Sequence, residues 1–340
     1  DKYVGELDAD NVADYAAAGY ITGLGDKWSS YIPAENYEAY RMSGEGKGCG
    51  IGVSVTSTET SIRVTLVYDD SPAAKAGIQK GDYILGTGDL TTEKDGSSAV
   101  ISAISGKEGT DVTVTVKKAD GSAKELTMQR AVVTQKMAWG KMLNDKIGYI
   151  RITQFTGVTG EQYQEAFDDL QKQGMEKMIV DLRDNPGGLL DSVCDVLRKI
   201  LPEGLIVYTE DKDGNREEEK CDGKNELRIP LAVLVNESSA SASEIFAGAV
   251  QDYGIGTIVG TTTYGKGVVQ SIRQLSDGSA IKLTVANYYT PKGNNINKTG
   301  IKPDIEVSLD TSLLNKNKDE ITHDEDNQLQ EALKAVEKEK

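Results

Sequence analysis

The sequence is poor in the residues that most catalytic and metal sites use. The chain has 340 residues but a single histidine, His323, and three cysteines, Cys49, Cys194 and Cys221. Scattered cysteines without a CxxC pair favour neither a disulfide framework nor a zinc site. His323 lies in a charged C-terminal stretch and is interpreted as a surface residue, which excludes Ser-His-Asp and Cys-His mechanisms and His-based metal sites. Acid–base chemistry must therefore use Lys, Asp, Glu, Tyr or Cys.

Positive charge is also scarce, with 38 Lys and Arg against 54 Asp and Glu and a net charge of -16. This balance argues against nucleic acid or anionic lipid as a partner, because phosphate binding needs clustered basic residues. No apolar run reaches the ~20 residues that span a bilayer, and no signal peptide is visible. Because the chain starts at Asp1 rather than at Met, we expect that an N-terminal segment has been removed.

The hydrophobic content, the length and the patterning of the sequence predict a multidomain α+β protein. Hydrophobic residues make up 38% of the chain, enough for real cores, and the length suggests about two domains. The patterns indicate four parts: an N-terminal helical segment (1–41), a small β-rich unit (42–131), an α/β core (132–310) and a charged tail (311–340), helical at 327–338. No strand is expected before about residue 50.

Two kinds of periodicity support this division. Alternation of apolar and polar residues predicts strands at 51–55, 62–68 and 111–116, with a short helix at 97–104. From about residue 147, strands at 147–155, 178–182, 231–235 and 257–259 alternate with helices that include 161–173 and 241–252. Such alternation is typical of a partly parallel sheet covered by helices.

The first candidate site is the small-residue stretch 236–244, which links a buried strand to an amphipathic helix. Ser241 and Glu244 fit an S-x-x-E capping box, so Ser241 could serve only as a helix cap. The alternative is a serine nucleophile at a strand-to-helix turn. There the helix N-terminus, beginning at Ala242, offers backbone N–H groups to a developing oxyanion.

The second candidate is Lys266, which lies between two glycines in a predicted loop. Taken alone, it is a solvated surface lysine. A serine nucleophile without histidine nevertheless needs another base, and lysine can act as one when burial brings its pKa from about 10.4 to roughly 7–8. Gln270, four residues later, could orient the lysine amine or be an ordinary strand residue.

Two stretches that each contain a pair of glycines are the remaining candidate sites. Gly187 and Gly188 follow Asp181-Leu182-Arg183-Asp184-Asn185-Pro186 and could form an oxyanion hole, a phosphate site or only a tight turn. The P-loop lysine pattern is missing, which disfavours nucleotide. The stretch Gly50-Ile51-Gly52-Val53 could receive a peptide carboxylate beside an edge strand, or be only a glycine-rich hairpin.

Taken in order, these motifs resemble the carboxyl-terminal processing peptidases, also called tail-specific proteases, over about residues 10–310. The stretch Ser71–Asp82 is similar to the PDZ pattern SPAxxAGIxxGD. The stretches 181–188, 239–244, 264–270, 276–279, 288–291 and 300–304 then follow in the family's order. The chain departs from the family at residues 24–31, where a Leu-Asp-Pro start is usual.

The resemblance implies a PDZ-like module, a mixed α/β protease core and flanking helices, with no metal or organic cofactor. It implies Ser241 as nucleophile, Lys266 as general base and Gln270 as its support. The oxyanion hole would use Ala242 with Gly187 or Gly188, and Gly50–Val53 would bind the substrate tail.

The family resemblance also implies partners and a location. Substrates would be proteins with disordered, apolar C-terminal tails, nucleic acid would not be a partner, and a homodimer is possible. The location would be outside the cytoplasm, in the cell envelope, the periplasm or the secreted side. Two alternatives remain: a catalytically inert peptide-binding PDZ protein and a nucleotide-dependent enzyme that uses the Gly187–Gly188 turn.

Overall fold

The structure, a computed structural model, describes residues 4–118, 120–314, 316 and 320–338. The other positions of the predicted N-terminal segment and C-terminal tail lie outside the described residues. The chain forms two compact units, one of Asp1–Gly44 with Met137–Lys340 and one of Glu45–Lys136. Each unit has its own hydrophobic core. The prediction of a multidomain mixed α and β fold is confirmed.

The N-terminal elements are α1 (Ala9–Thr22), β1 (Ser30–Ile32) and α2 (Ala34–Gly44). Asp8 caps α1 by accepting the Asn11 N–H at 3.0 Å, and α1 ends at Thr22, with Gly23 as its C-cap. The prediction that no strand precedes about residue 50 is wrong. Three residues are too few for alternation to be recognised, and β1 exists because it pairs with the distant strand Ala280–Tyr289.

The smaller unit is a β-rich module. Its strands are β2 (Lys47–Gly50), β3 (Val53–Ser57), β4 (Ile62–Val67), β5 (Tyr83–Thr87), β6 (Leu90–Thr91), β7 (Asp111–Lys117), β8 (Ala123–Gln129) and β9 (Ala131–Thr134). Its helices are α3 (Pro72–Lys75), α4 (Thr92–Asp95) and α5 (Ser97–Ile104). The main sheet has the order β3-β4-β5-β7-β8, with β6 on β5, while β2 pairs with β9. Strand β3 is therefore an edge of this sheet.

The larger unit continues with strands and helices in alternation. Its strands are β10 (Ala138–Met142), β11 (Ile147–Ile152), β12 (Lys177–Asp181), β13 (Gly204–Asp211), β14 (Arg216–Cys221), β15 (Leu231–Val235), β16 (Thr257–Gly260), β17 (Val268–Gln274), β18 (Ala280–Tyr289) and β19 (Ile305–Glu306). Its helices are α6 (Thr159–Lys172), α7 (Leu190–Leu197), α8 (Ala242–Tyr253), a 3-10 turn (Thr311–Leu313) and α9 (Asn327–Lys338).

The central sheet has the order β10-β11-β12-β15-β16-β19 and is parallel from β11 onward. The carboxyl ends of neighbouring parallel strands meet at one edge of a sheet. The turns that follow β12 and β15 therefore lie side by side, and they carry Gly187 and Ser241. A second sheet, β1-β18-β13-β14 with β17 also on β18, holds the segment after Lys266.

The C-terminal helix α9 covers one face of the central sheet. Its apolar residues Leu329, Ala332 and Val336 pack against Ile179 and Leu234 of the sheet. The predicted helix at 327–338 is confirmed, and its apolar face is buried against the sheet. His323 is partly exposed, as expected of a surface residue, and lies beside Lys141 and the Tyr149 ring. Among the described residues, no helix is long and apolar enough to cross a membrane.

Candidate active site

Ser241 occupies a strained turn between a fully buried strand and a buried helix. All five residues of β15 are buried, and α8 begins one residue after Ser241. Ser241 has φ 55° and ψ -115°, a conformation that residues with a Cβ rarely adopt and that costs about 1–3 kcal/mol. Such strain persists only where the surrounding structure imposes it. Nucleophilic residues often lie at a sharp strand-to-helix turn of this kind.

The buried carboxylate of Glu244 connects this turn to the loop of Lys266. It accepts the Ser241 N–H at 2.8 Å and the Lys266 N–H at 2.9 Å on one oxygen. The other oxygen accepts the Gly265 N–H at 2.7 Å and the Thr263 hydroxyl at 2.6 Å. Of the capping box at the start of α8, the Glu244 half is formed, whereas among the described residues the Ser241 hydroxyl accepts no cap hydrogen bond. The same glutamate also fixes the lysine loop. Capping is therefore compatible with a catalytic role of Ser241.

Tyr288 provides a second connection between the same two segments. Its hydroxyl donates to the backbone carbonyls of Lys266 at 2.6 Å and Ser241 at 3.0 Å. Burial, followed by the nearby charge of Glu244, raises the pKa of Tyr288 well above its ordinary value. The phenol therefore stays protonated and remains a donor. From the sequence alone, Glu244 had only a role as part of a helix cap and Tyr288 had no role, because neither contact with the Lys266 loop leaves a local pattern.

The Lys266 side chain is half-buried, with its amine 4.4 Å from the centroid of the Trp28 ring. Its pKa is lowered, chiefly by burial and then by the positive charge of Lys282, while Glu244 and Asp26 act in the opposite direction. A lowered pKa increases the neutral fraction of the amine, which is the form that can accept a proton.

The structure brings the backbones of Ser241 and Lys266 together but does not pair their side chains. In the described part of the chain, no hydrogen bond joins the Ser241 hydroxyl to the Lys266 amine, or that amine to Gln270. The Gln270 amide instead makes long hydrogen bonds of 3.4 Å to the Val268 carbonyl and the Thr284 hydroxyl. Its predicted support of the lysine stays a prediction.

Gly187 lies directly against the Ser241 turn. A Cβ at Gly187 would stand 2.6 Å from the Ala240 carbonyl oxygen, 2.8 Å from the Ser241 Cβ and 2.9 Å from the Ala242 nitrogen. Its φ of 100° is also unfavourable for any residue with a Cβ. Glycine at this position thus allows the two turns to pack together.

Asn185 holds the two turns in this arrangement. Its backbone carbonyl accepts the Ala240 N–H at 3.0 Å and the Ser243 hydroxyl at 2.9 Å, and its side chain accepts the Gly187 N–H at 2.9 Å. Among the described residues, the N–H of Gly188 has no acceptor. Ala242 is the first helical residue, whose N–H lacks an intrahelical acceptor. Both N–H groups are therefore without an acceptor in the described part of the chain.

A buried ion network supports the Gly187–Gly188 turn from the preceding strand. Asp181 is fully buried and contacts Arg151 and Arg183, each at 2.6 Å, while Tyr149 donates to it at 2.7 Å. Burial alone would raise the pKa of Asp181, but the two guanidinium groups hold it well below its usual range. Arg183 also contacts Asp326 at 2.8 Å, so the residue before α9 joins the network.

The smaller unit has a groove of about 130 Å³ that includes all four predicted peptide-binding residues, Gly50, Ile51, Gly52 and Val53. Its apolar lining includes Ile62, Ile84, Ile101 and Ile104. Gly52 has φ 79°, and a Cβ there would stand 2.4 Å from the Ser71 Cβ. The groove therefore lies beside the edge strand β3 and the helix α5, with glycine required at its turn.

Comparison with known proteins supports both units. The chain matches peptidase family S41 over residues 146–307 and the PDZ domain over residues 49–129. It is 37% identical over 298 residues to the carboxyl-terminal-processing protease of Picosynechococcus sp., covering 85% of this chain and 72% of that protein. It is 33% identical over 308 residues to the carboxy-terminal processing protease CtpA of Bacillus subtilis, covering 90% of this chain and 66% of that protein.

A solved structure has a similar fold. The photosystem II D1 C-terminal processing protease superposes with a TM-score of 0.56 at 30% identity, covering 90% of this chain and 84% of that one. The chain thus spans about two thirds of the length of the curated relatives that it matches.

Proposed function

The chain belongs to peptidase family S41, and from this we propose that it is a serine endopeptidase that cuts protein substrates near their C-termini, with Ser241 as nucleophile and Lys266 as general base. One observation carries the proposal. Glu244 and Tyr288 each bind the backbones of both Ser241 and Lys266. A buried acid and a buried phenol that bridge the same two loops position these residues as one unit.

In the proposed reaction, the neutral amine of Lys266 takes the proton of the Ser241 hydroxyl as its oxygen attacks the scissile carbonyl. The ammonium then gives this proton to the leaving amine, and an acyl-enzyme forms. Water, deprotonated by the same amine, attacks the ester carbonyl. The ammonium then returns this proton to the Ser241 oxygen as its bond to the acyl group breaks and the acid product leaves. Gln270 would orient the amine during these steps, after the Lys266 side chain has left the Trp28 ring.

The oxyanion would be bound by the N–H groups of Gly188 and Ala242. Gly187 has the closer contact with Ser241, but its own N–H donates a hydrogen bond to the Asn185 side chain. The geometry therefore supports Gly188 over Gly187 as the second donor, and Gly187 as the residue that permits the close approach.

The groove of the smaller unit would capture the substrate tail. An extended peptide could add to the free edge of β3 as a further strand, with its carboxylate at Gly50–Val53. The isoleucine lining favours an apolar final side chain. Protein or peptide substrates follow from the two matched families, and the preference for apolar tails belongs to this proposal.

Homodimer formation and a location outside the cytoplasm are further parts of the proposal, and both rest on the family resemblance. Light scattering of the purified protein tests the first, where a monomer at all concentrations would contradict it. A reporter fusion to the full-length protein in its native cell tests the second, where reporter activity confined to the cytoplasm would contradict it.

Cleavage of casein, a disordered protein, tests the catalytic pair. The native chain is expected to cleave it, and Ser241→Ala and Lys266→Ala are expected to remove activity while keeping the native circular dichroism spectrum. The exposed residues Ser238 and Lys302 supply matched controls, because Ser238→Ala and Lys302→Ala should leave the rate unchanged. Cleavage that survives in Ser241→Ala would show that the nucleophile is wrong.

The pH dependence of kcat/KM is a second test. Only the neutral form of Lys266 can accept the serine proton, so activity should rise with pH and reach half its maximum below the ordinary lysine pKa of about 10.4. A rate that stays flat from about pH 5 to 9, with acylation shown to be rate-limiting, would contradict lysine as the base.

The alternative function is that of a peptide-binding protein without catalysis. The absence of a Ser241–Lys266 hydrogen bond and the well-formed groove are the observations that favour it. Binding of an apolar-tailed peptide, without cleavage of any peptide or disordered protein, would support this alternative over the peptidase.

A further inference from the structure

Trp28 is held in place by the strand that the N-terminal segment adds to the second sheet. Strand β1 pairs with β18, with Ser30 opposite Lys282. Just before β1, the Asp26 carboxylate accepts the Trp28 N–H at 3.1 Å and the Ser29 hydroxyl at 2.6 Å. The same hydroxyl oxygen accepts the Thr284 N–H of β18 at 3.0 Å. The position of Trp28 is thus fixed by a tight turn and by its attachment to β18.

Two lysine amines and one phenol ring lie close to the Trp28 ring. The amines of Lys266 and Lys27 lie 4.4 and 4.5 Å from its centroid, and the Tyr264 ring meets it edge-on at 5.8 Å. Lys27 also donates to the Tyr264 hydroxyl at 3.1 Å. An indole face attracts a cation within about 6 Å and favours the charged over the neutral amine.

The surroundings of Lys266 therefore act on its amine in opposite directions. Burial and the positive charge of Lys282 favour the neutral form, whereas the charges of Glu244 and Asp26 favour the ammonium. The Trp28 ring acts in the same direction as the two carboxylates. The titratable and charged groups that face Lys266 from the neighbouring elements are Asp26, Lys27, Glu244, Tyr264, Lys282 and Tyr288.

We propose that Trp28 is a positioning residue that holds Lys266 as an ammonium against its ring, without a hydrogen bond to Ser241. The N-terminal segment would thereby set the pH at which the lysine becomes a base. This inference rests on the proposed Ser–Lys peptidase. Removing the ring face while keeping the site apolar should release the amine and shift its proton loss to lower pH.

The pH profile of kcat/KM tests this inference with a graded pair of variants. Trp28→Leu keeps an apolar side chain without a π face, and Trp28→Phe keeps a weaker one. The acidic limb of the profile should move down by about half to one pH unit in Trp28→Leu and by less in Trp28→Phe. An unchanged midpoint in Trp28→Leu, or a move to higher pH, would overturn the proposal.

A fluorescence titration tests the same contact without relying on activity or on a change at Trp28. The chain has two tryptophans, so in Trp139→Phe the emission reports on Trp28 alone. Because the Lys27 amine lies about as close to the ring as Lys266 does, Lys27→Met is added to this background. We expect the intensity to change with pH in a transition that disappears when Lys266→Met is also added. A transition that keeps its midpoint and amplitude after Lys266→Met is added would overturn the proposal.

The two measurements separate this inference from the proposed function. If the native chain cleaves nothing, the peptidase proposal fails, while the loss of the transition in Lys266→Met would still show the Trp28–Lys266 contact. If Ser241-dependent cleavage is present but neither the profile nor the emission responds, only the role of Trp28 is rejected.

Discussion

Gly187 shows how one missing Cβ decides the geometry of the site. Its φ of 100° and its contacts with Ala240, Ser241 and Ala242 leave no room for a side chain. We expect Gly187→Ala to lower kcat/KM by a hundredfold or more, because the Ser241 turn must move and small displacements of reacting groups have effects of that order.

Gly174→Ala is the matched control for this substitution. Gly174 has φ 91°, but a Cβ there would meet nothing within 4 Å. Gly174→Ala should therefore lose only the stability associated with an unfavourable φ, about 1 kcal/mol, measured by urea unfolding. Gly187→Ala should lose more, because its Cβ also overlaps with the Ser241 turn. Full activity in Gly187→Ala would show that the two turns need not touch.

Glu244 is a buried carboxylate, and each of its two oxygens accepts two hydrogen bonds. In Glu244→Gln, an NH2 group replaces one oxygen and faces backbone N–H donors. We expect unfolding free energy to fall by about 2–4 kcal/mol, since a buried charged network loses its acceptor, and cleavage to fall with it. The exposed Glu237→Gln, which affects only a hydrogen bond to Thr261, should change stability by less than about 0.5 kcal/mol.

At the scale of the element, α9 is part of the larger unit's structure rather than an appendage. Asp326 accepts the Leu329 N–H at 3.0 Å at the start of α9 and also pairs with Arg183. The helix begins with a cap that belongs to the same ion network as Asp181. The network therefore connects α9 to the strand that leads to the Gly187–Gly188 turn.

Asp326→Asn tests this connection. The amide can still cap the helix but leaves Arg183 without its second carboxylate, so we expect a loss of about 1–3 kcal/mol in unfolding free energy. Thermal and urea unfolding measure it, with the exposed Asp324→Asn as the control. Equal stability of the two variants would mean that the Arg183–Asp326 pair has no net effect.

Strand β1 shows how an element can depend entirely on its partner. Its three residues have no pattern of their own, yet they extend the second sheet and fix the position of Trp28 beside Lys266. The N-terminal segment thus contributes to the candidate site through a strand, where sequence patterning predicted only helix.

At the scale of the whole molecule, the question is whether the PDZ unit delivers substrate or also controls the protease core. Ile101→Glu places a charge in the apolar groove, and Ser102→Glu places one on the exposed face of the same helix as a control. We expect Ile101→Glu to raise KM about tenfold or more for a substrate with an apolar tail, because a carboxylate is poorly accommodated in an apolar site.

A short internal peptide with an amidated C-terminus separates the two roles. If the unit only delivers substrate, Ile101→Glu should cleave this peptide at the native rate, whereas a controlling unit would lower kcat for both substrates. Native kinetics of Ile101→Glu on both substrates would contradict any role of the groove.

The sequence alone determined the elements with strong local patterns and the order of the site motifs. The apolar run 231–235, the helix at 97–104 and the helix at 327–338 have the predicted bounds, because burial of a regular face leaves a periodic signal. Ser241, Lys266 and the glycine pair were identified from local motifs, which need only neighbouring residues to be recognised.

Only the tertiary structure decided which of these groups meet. Trp28 lies against Lys266 although 238 positions separate them in the chain. The Gly187 N–H is occupied by the Asn185 side chain, which the sequence could not show when it left Gly187 and Gly188 as equal candidates. Glu244 and Tyr288 became significant through the loops that they join. Such contacts depend on strand order and turn packing between distant segments, which leave no periodicity in the local sequence.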